Sequence, residues 1–214
     1  MIHPSATIIR HEHRALSAML RSILLLLEAD RRRGTLPDFA ALRAMLFYVD
    51  EFPEKLHHPK ESRLLFPRLR GHGARSDAVL DRLDRDHASG EHAIRALEHA
   101  LLGFEMMAET DRGAASRANF EAAMSRYVSF YLEHMHIEET EVLPLAEAVL
   151  DPGDWAELDG AFMENRDPLA GFDAVAAYRP LFRKILEALP ASSGVGSALE
   201  ALAGVGPARY RCPE

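Results

Sequence analysis

Histidine and glutamate recur in this chain at a spacing that suits metal binding. The stretches HHPKESRLLFP (57–67) and HMHIEETEVLP (134–144) each hold a histidine, a glutamate four residues on, and a proline six residues after the glutamate. Positions 57, 61 and 67 therefore recur at 134, 138 and 144, a constant offset of 77. A second repeat precedes the first. Ile9, His13, Leu16, Leu20, Ile23 and Leu27 are answered by Leu83, His87, Gly90, Ile94, Leu97 and Leu101, each 74 residues later. On a helix, residues four apart share a face with Cβ atoms about 6 Å apart. His57 with Glu61, and His134 with Glu138, can each aim a nitrogen and an oxygen at one point. His13 and His87 lie on apolar stripes, so they turn toward a core. Four imidazoles and two carboxylates meeting there make a two-metal site.

Imidazole and carboxylate suit iron, and also manganese, zinc and cobalt. Two glutamates on facing helices can bridge two ions that each take two histidines. Without metal, two buried carboxylates would repel one another and lose hydration. Any one of these histidines alone would read as a hydrogen-bonded core residue, and a lone His-x3-Glu as a surface pair. The joint repetition favours metal. Of the other histidines, His11, His92 and His136 face away from the stripes. His58, one residue off, is expected no nearer than the ligands' outer partners; His72 and His99 look solvated, and His3 sits in a frayed start. Glu91, four residues after His87, repeats the His-x3-Glu spacing and is a candidate extra ligand, although a solvated acid fits it better. Tyr127 and Tyr131 share a stripe with His134; buried there they need hydroxyl partners, or they serve as donors to an oxygen species held at the metal. Gly90 removes bulk one turn from His87, for close packing or for ligand access.

The elements that must position these groups are helices. The first is expected over Ser5–Arg33, stopped by Gly34 with Pro37 beyond it. The second runs from Pro37 or Asp38 to Leu69, with a kink or short break at Pro53 and Pro59. The third covers Ser76–Thr110. The fourth covers Ala114–Val149, with a seam through Tyr127, Tyr131, His134, Glu138, Val142, Leu145 and Val149 and a bend at Pro144. The expected architecture is all-α: an up-and-down four-helix bundle over 1–150 with a C-terminal helical extension over 151–190 packed on it, and a flexible tail over 191–214. In the extension, Trp155, Leu158 and Phe162 suit a short helix, 165–168 a turn, and Leu181, Phe182, Ile185 and Leu189 a second helix with Pro180 at its first position.

Composition narrows the function. A net charge of −8 argues against a nucleic-acid binder. No apolar run is long enough to span a bilayer, and the N-terminus lacks the pattern of a secretory signal. Cys212 is the single cysteine, so an internal disulfide framework is excluded. Cytoplasmic residence is the expectation.

EHRAL with His13, HHPKES with His57 and Glu61, DHASGEH with His87, and HMHIEE with His134 and Glu138 make residues 5–150 resemble the hemerythrin-like, or HHE cation-binding, family. The resemblance implies an up-and-down four-helix bundle around a non-haem di-iron centre. Invertebrate oxygen carriers of this family have a His-x3-His pair on the third helix, where this chain has His87 and Glu91. They end with His and Asp on the fourth, where it has His134 and Glu138. Four histidines and two glutamates are instead similar to bacterial di-iron proteins linked to nitric-oxide stress and iron-centre repair. The expected cofactor is two iron ions, oxo- or hydroxo-bridged, with zinc or manganese compatible. His13, His57, His87 and His134 would be terminal ligands, and Glu61 and Glu138 bridges.

The expected function is binding, sensing or slow turnover of a small diatomic or peroxide: oxygen, nitric oxide or hydrogen peroxide. Two alternatives stand beside it. One is iron storage or handling without gas chemistry. The other is a helical interaction module that engages a protein partner through 154–214.

Overall fold

A computed structural model describes residues 3–172 and 176–188. The described residues are almost wholly helical and include no strand. The first rod is α1, Pro4–Arg33, ended by Gly34 in the left-handed region at φ 68°. The second rod starts at α2, Phe39–Val49, where the Asp38 side chain accepts from the Ala41 amide. It continues through a wide π-helical segment, Asp50–His57, then α3, His58–Lys60, a second wide segment, Glu61–Leu65, and α4, Phe66–Leu69. The third rod is α5, Ala74–Met107. The fourth is α6, Gly113–Ile137, continued by a wide segment, Glu138–Val142, and by α7, Leu143–Val149.

The chain therefore does not break at Pro53 and Pro59. It widens. A proline amide cannot donate to the carbonyl four residues back, and the ladder relaxes to bonds spanning five residues. The His58 amide donates to the Pro53 carbonyl, the Phe66 amide to that of Glu61, and the Leu143 amide to that of Glu138. Both copies of the His-x3-Glu-x5-Pro repeat thus carry a wide turn that begins at the glutamate. The extra residue shifts the register. Beyond Val142 the buried positions are Leu143 and Ala146, and the expected seam residues Leu145 and Val149 are only half-buried.

The rods pack in a ring, α1 on α2, α2 on α5, α5 on α6 and α6 on α1, an arrangement consistent with a four-helix bundle. Two apolar clusters fill it. One gathers Leu16, Leu20, Met45, Leu97, Phe104 and Phe120; the other gathers Ile9, Leu65, Phe66, Leu83 and Leu143. The candidate metal-binding residues lie along the rods between these two cores. Helix α8, Pro152–Met163, starts at a capping box of Asp151 and Asp154. It buries Trp155, Leu158 and Phe162 in the second cluster, worth roughly 1.5–3 kcal/mol each. His3 is not frayed: its ring stacks on Trp155 at 4.0 Å. Helix α9, Arg179–Ala188, places Pro180 second and packs Phe182 against Tyr48 and Phe52. Leu189 and the expected tail over 191–214 lie outside the described residues. Among the described residues, no helix is long and apolar enough to cross a membrane.

The turn expected over 165–168 goes inward. Asn165 and Asp167 are buried, on either side of Arg166 in the left-handed region at φ 47°. Asp167 accepts from Tyr48 Oη at 2.7 Å and from the Leu169 amide at 2.9 Å. Burial, then the charge of Glu12, pushes its pKa up to about 7 against those donors. A carboxyl raised in the folded state contributes stability at acid pH, and loses it as pH rises through its folded value. The wild type is therefore expected to lose thermal stability relative to Asp167→Asn between about pH 4 and 7, and no further above that. Parallel curves for the two proteins over that range would contradict the assignment.

Candidate metal centre

His13 from α1, His57 and Glu61 from the second rod, His87 from α5, and His134 and Glu138 from the fourth rod converge in the layer between the cores. All six are buried, and Glu61 and Glu138 are each only 1 % exposed. His13 Nε2 lies 3.2 Å from His57 Nε2, and His87 Nε2 lies 3.0 Å from His134 Nε2. Two nitrogens that ligate one first-row ion at about 2.1 Å and at right angles stand about 3 Å apart. The carboxylates span both pairs. Glu61 Oε1 is 3.1 Å from His57 Nε2, and its Oε2 is 3.5 Å from His87 Nε2. Glu138 Oε2 is 3.2 Å from His13 Nε2, and its Oε1 is 3.1 Å from His134 Nε2. Donor atoms of His13, His57, Glu61 and Glu138 lie within 4.8 Å of one another, and so do those of Glu61, His87, His134 and Glu138.

Glu61 Oε2 and both Glu138 oxygens are buried without an aligned hydrogen bond, close though the imidazoles are. Buried carboxylate oxygens left in this way are costly. Lone pairs that aim at shared points between the side chains, rather than at each other, account for them. The donor set fits two cations.

Each imidazole turns Nε2 inward and holds Nδ1 outward. His13 Nδ1 pairs with Glu139 at 3.0 Å, and His57 Nδ1 with Glu12 Oε2 at 2.6 Å. His87 Nδ1 pairs at 2.8 Å with Ser62 Oγ, which donates in turn to Asp84. His134 Nδ1 faces Asp86 at 3.5 Å. Such partners orient a ligand imidazole and raise its basicity. None of Glu12, Ser62, Asp84, Asp86 and Glu139 was singled out from sequence. Glu139 adjoins a repeat glutamate, and Glu12 and Asp86 each precede a stripe histidine, which was the available signal.

Burial opposes charge on His13, but the neighbouring Glu138 and Glu139 carboxylates overcome it and raise the pKa. For His57, burial is likewise outweighed by Glu61 and Glu12. His134 is raised to about 10, burial losing to the Glu138 charge and to Asp86. Glu138 is held well below its usual range, burial being outweighed by His134, His13 and His87. Metal must therefore displace protons from imidazoles that hold them tightly. Metal affinity is expected to climb between pH 6.5 and 8.5 by about tenfold per pH unit for each imidazolium displaced. Indicator-dye release on loading checks this, and pH-independent uptake would contradict it.

His58, placed outside the ligand set by its spacing, reaches the centre. The wide turn before it brings two consecutive histidines inward. Its ring stacks on His87 at 4.4 Å, and its nitrogen joins those of His87 and His134 within 4.8 Å. Burial, then the neighbouring His87, His57 and His134, drives its pKa well below the usual value, so it is neutral. Its Nδ1 pairs at 3.2 Å with Glu54 Oε2. Glu54, also not singled out, is the hydroxyl partner that Tyr127 and Tyr131 required. Tyr127 Oη donates to Glu54 Oε1 at 2.7 Å, and Tyr131 Oη donates to the same oxygen. Burial raises the Glu54 pKa, against those two donors. Gly90 serves close packing, because a Cβ there would sit 1.8 Å from Tyr131 Oη. Glu91 takes no part: it is exposed and pairs with Arg95 at 2.5 Å. His72, His92, His99 and His136 are exposed.

A small cleft reaches this layer. Its walls include His13, His57 and His58 from the centre and Asn165 and Asp167 from the extension.

Searches among curated proteins and among solved structures returned no match. Residues 5–146 match the hemerythrin HHE cation binding domain. That span holds all six converging residues, and the chain belongs to the hemerythrin HHE cation-binding family.

Proposed function

We propose that the chain is a non-haem di-iron protein that binds, senses or slowly turns over a small diatomic or peroxide. The described residues up to 150 form an up-and-down four-helix bundle, and those from 151 to 188 an extension upon it. His13 and His57 would hold one ion and His87 and His134 the other, with Glu61 and Glu138 reaching both. The observation that carries this reading is the division of each carboxylate's two oxygens between the two histidine pairs.

Bound iron would supply Lewis acidity and a redox couple. The protein's residues supply orientation and shelter. Glu139, Glu12 and Ser62 engage the outer nitrogens of His13, His57 and His87 and keep the inner nitrogens turned to the centre. Phe66 and His58 stack on His87, and Tyr131 stacks on His58. The cleft reaches the His13–His57 side. A cleft that touches the ligands supports small-molecule chemistry over simple metal storage.

The test is optical. Iron-loaded protein is exposed to nitric oxide, azide and hydrogen peroxide in turn. A charge-transfer spectrum that changes with at least one of them is expected; a loaded protein that answers none contradicts the reading.

A further inference from the structure

The extension grips one half of the centre. Phe162, fully buried near the end of α8, sets its ring edge-on to that of His57 at 5.8 Å. Asn165 Nδ2 donates at 3.0 Å to Glu12 Oε2, the same oxygen that pairs with His57 Nδ1 at 2.6 Å. The Lys60 ammonium donates to Asn165 Oδ1 and, at 2.6 Å, to the Ala161 carbonyl, which fixes the way the amide turns. Asp167 anchors the far side, accepting from Tyr48 Oη at 2.7 Å. Arg166, between the two anchors, stands in the left-handed region at φ 47°. A residue other than glycine keeps that conformation only where its surroundings impose it. Asn165 and Asp167 also line the cleft beside His13 and His57. The His87–His134 pair draws its neighbours Ser62, Asp86, Phe66 and His58 from the bundle instead. Residues 162–167 all lie beyond the span that matches the family.

An ion leaves a site of several ligands one bond at a time, and each detached ligand must swing aside before the next lets go. His57 has no room to swing while Phe162 abuts its ring and Glu12, itself tied to Asn165, holds its outer nitrogen. Segments held by a few polar anchors open locally without the rest of the fold. We infer that residues 162–167 are a clasp on the ion held by His13 and His57: that ion exchanges when the segment lifts, and exchange of the ion at His87 and His134 does not depend on it. This rests on the two-ion reading above and adds to it a separate means of retaining one ion.

Tyr48→Phe is the sharpest test. Tyr48 reaches the segment through Asp167, and its ring packs on Phe52 and Phe182, so the variant loosens the clasp without altering a ligand or a ligand's outer partner. The full chain is loaded with zinc, which adds no redox chemistry, and release to an excess of chromogenic chelator is followed in time. Loss of one buried hydrogen bond is expected to speed one release phase by about three- to tenfold and leave the other within about twofold. If the two wild-type phases coincide, the variant should split them. Hydrogen–deuterium exchange of the amides over 162–170 should quicken by the same factor as the faster phase.

Asn165→Ala removes the anchor at the other end and carries the test if Tyr48→Phe folds poorly. It should speed the same phase by about tenfold or more. In either variant, two phases shifted alike, or no shift, overturns the clasp and leaves the two-ion reading standing. A wild type that binds a single zinc and releases it in one phase overturns both.

Discussion

Glu138→Gln is expected to weaken both metal ions together, whereas His13→Ala weakens one. The reason is geometric. Glu138 places Oε2 at the His13 side and Oε1 at the His134 side, so an amide in its place removes a charged donor from both halves at once. His13 contacts only the first half. Losing a ligand costs more than the ten- to hundredfold loss typical of an outer partner. Each ion in Glu138→Gln should therefore bind at least about a hundredfold more weakly. In a metal titration the two steps of the wild type should move in concert, and in His13→Ala only one should move. A Glu138→Gln protein that keeps one ion at full affinity would show that the carboxylate does not bridge.

Gly90→Ala is expected to destabilise the fold by about 3 kcal/mol, although alanine in mid-helix normally gains up to about 1 kcal/mol over glycine. The new Cβ would meet Tyr131 Oη at 1.8 Å and Glu54 Oε1 at 3.0 Å, with the tyrosine ring behind. Tyr131 is fully buried, between His58, Phe130 and His134, and has little room to retreat. Displacing it strips a donor from buried Glu54, which costs about 1–3 kcal/mol on top of the overpacking. Chemical denaturation reads the loss directly. Gly90→Ala with wild-type stability would mean that Tyr131 does not fill that space. The paired variant Gly90→Ala with Tyr131→Phe should recover part of the loss, because it removes the colliding oxygen.

The two internal repeats made the converging residues legible. His13 and His87 could be placed inward because their neighbours at helical spacing are Leu and Ile, and the α5 seam from Leu83 to Phe104 is buried as the stripe requires. Spacing at 3.6 residues per turn fails where the turn itself widens. His58 looked one residue out of place, and Leu145 and Val149 looked inward, because a turn of five-residue bonds adds a residue that no periodicity count contains. The prolines marked the places but not the outcome, since a missing amide can break, bend or widen a helix. Glu54 and Glu12 escaped for another reason. Each is an ordinary helix acid whose role comes from partners distant in sequence: the Tyr127 and Tyr131 hydroxyls for one, the Asn165 amide for the other. Asn165 read only as a turn residue, because nothing local shows that its turn points into the bundle.

The central claim is that four histidines and two glutamates hold two ions as a pair. Anaerobic iron titration, followed by X-ray absorption spectroscopy of the filled protein, tests it most directly. The account expects saturation at two irons per chain, imidazole and carboxylate scattering, and an iron–iron vector. Saturation at a single ion, or two ions with no metal–metal vector, would contradict it.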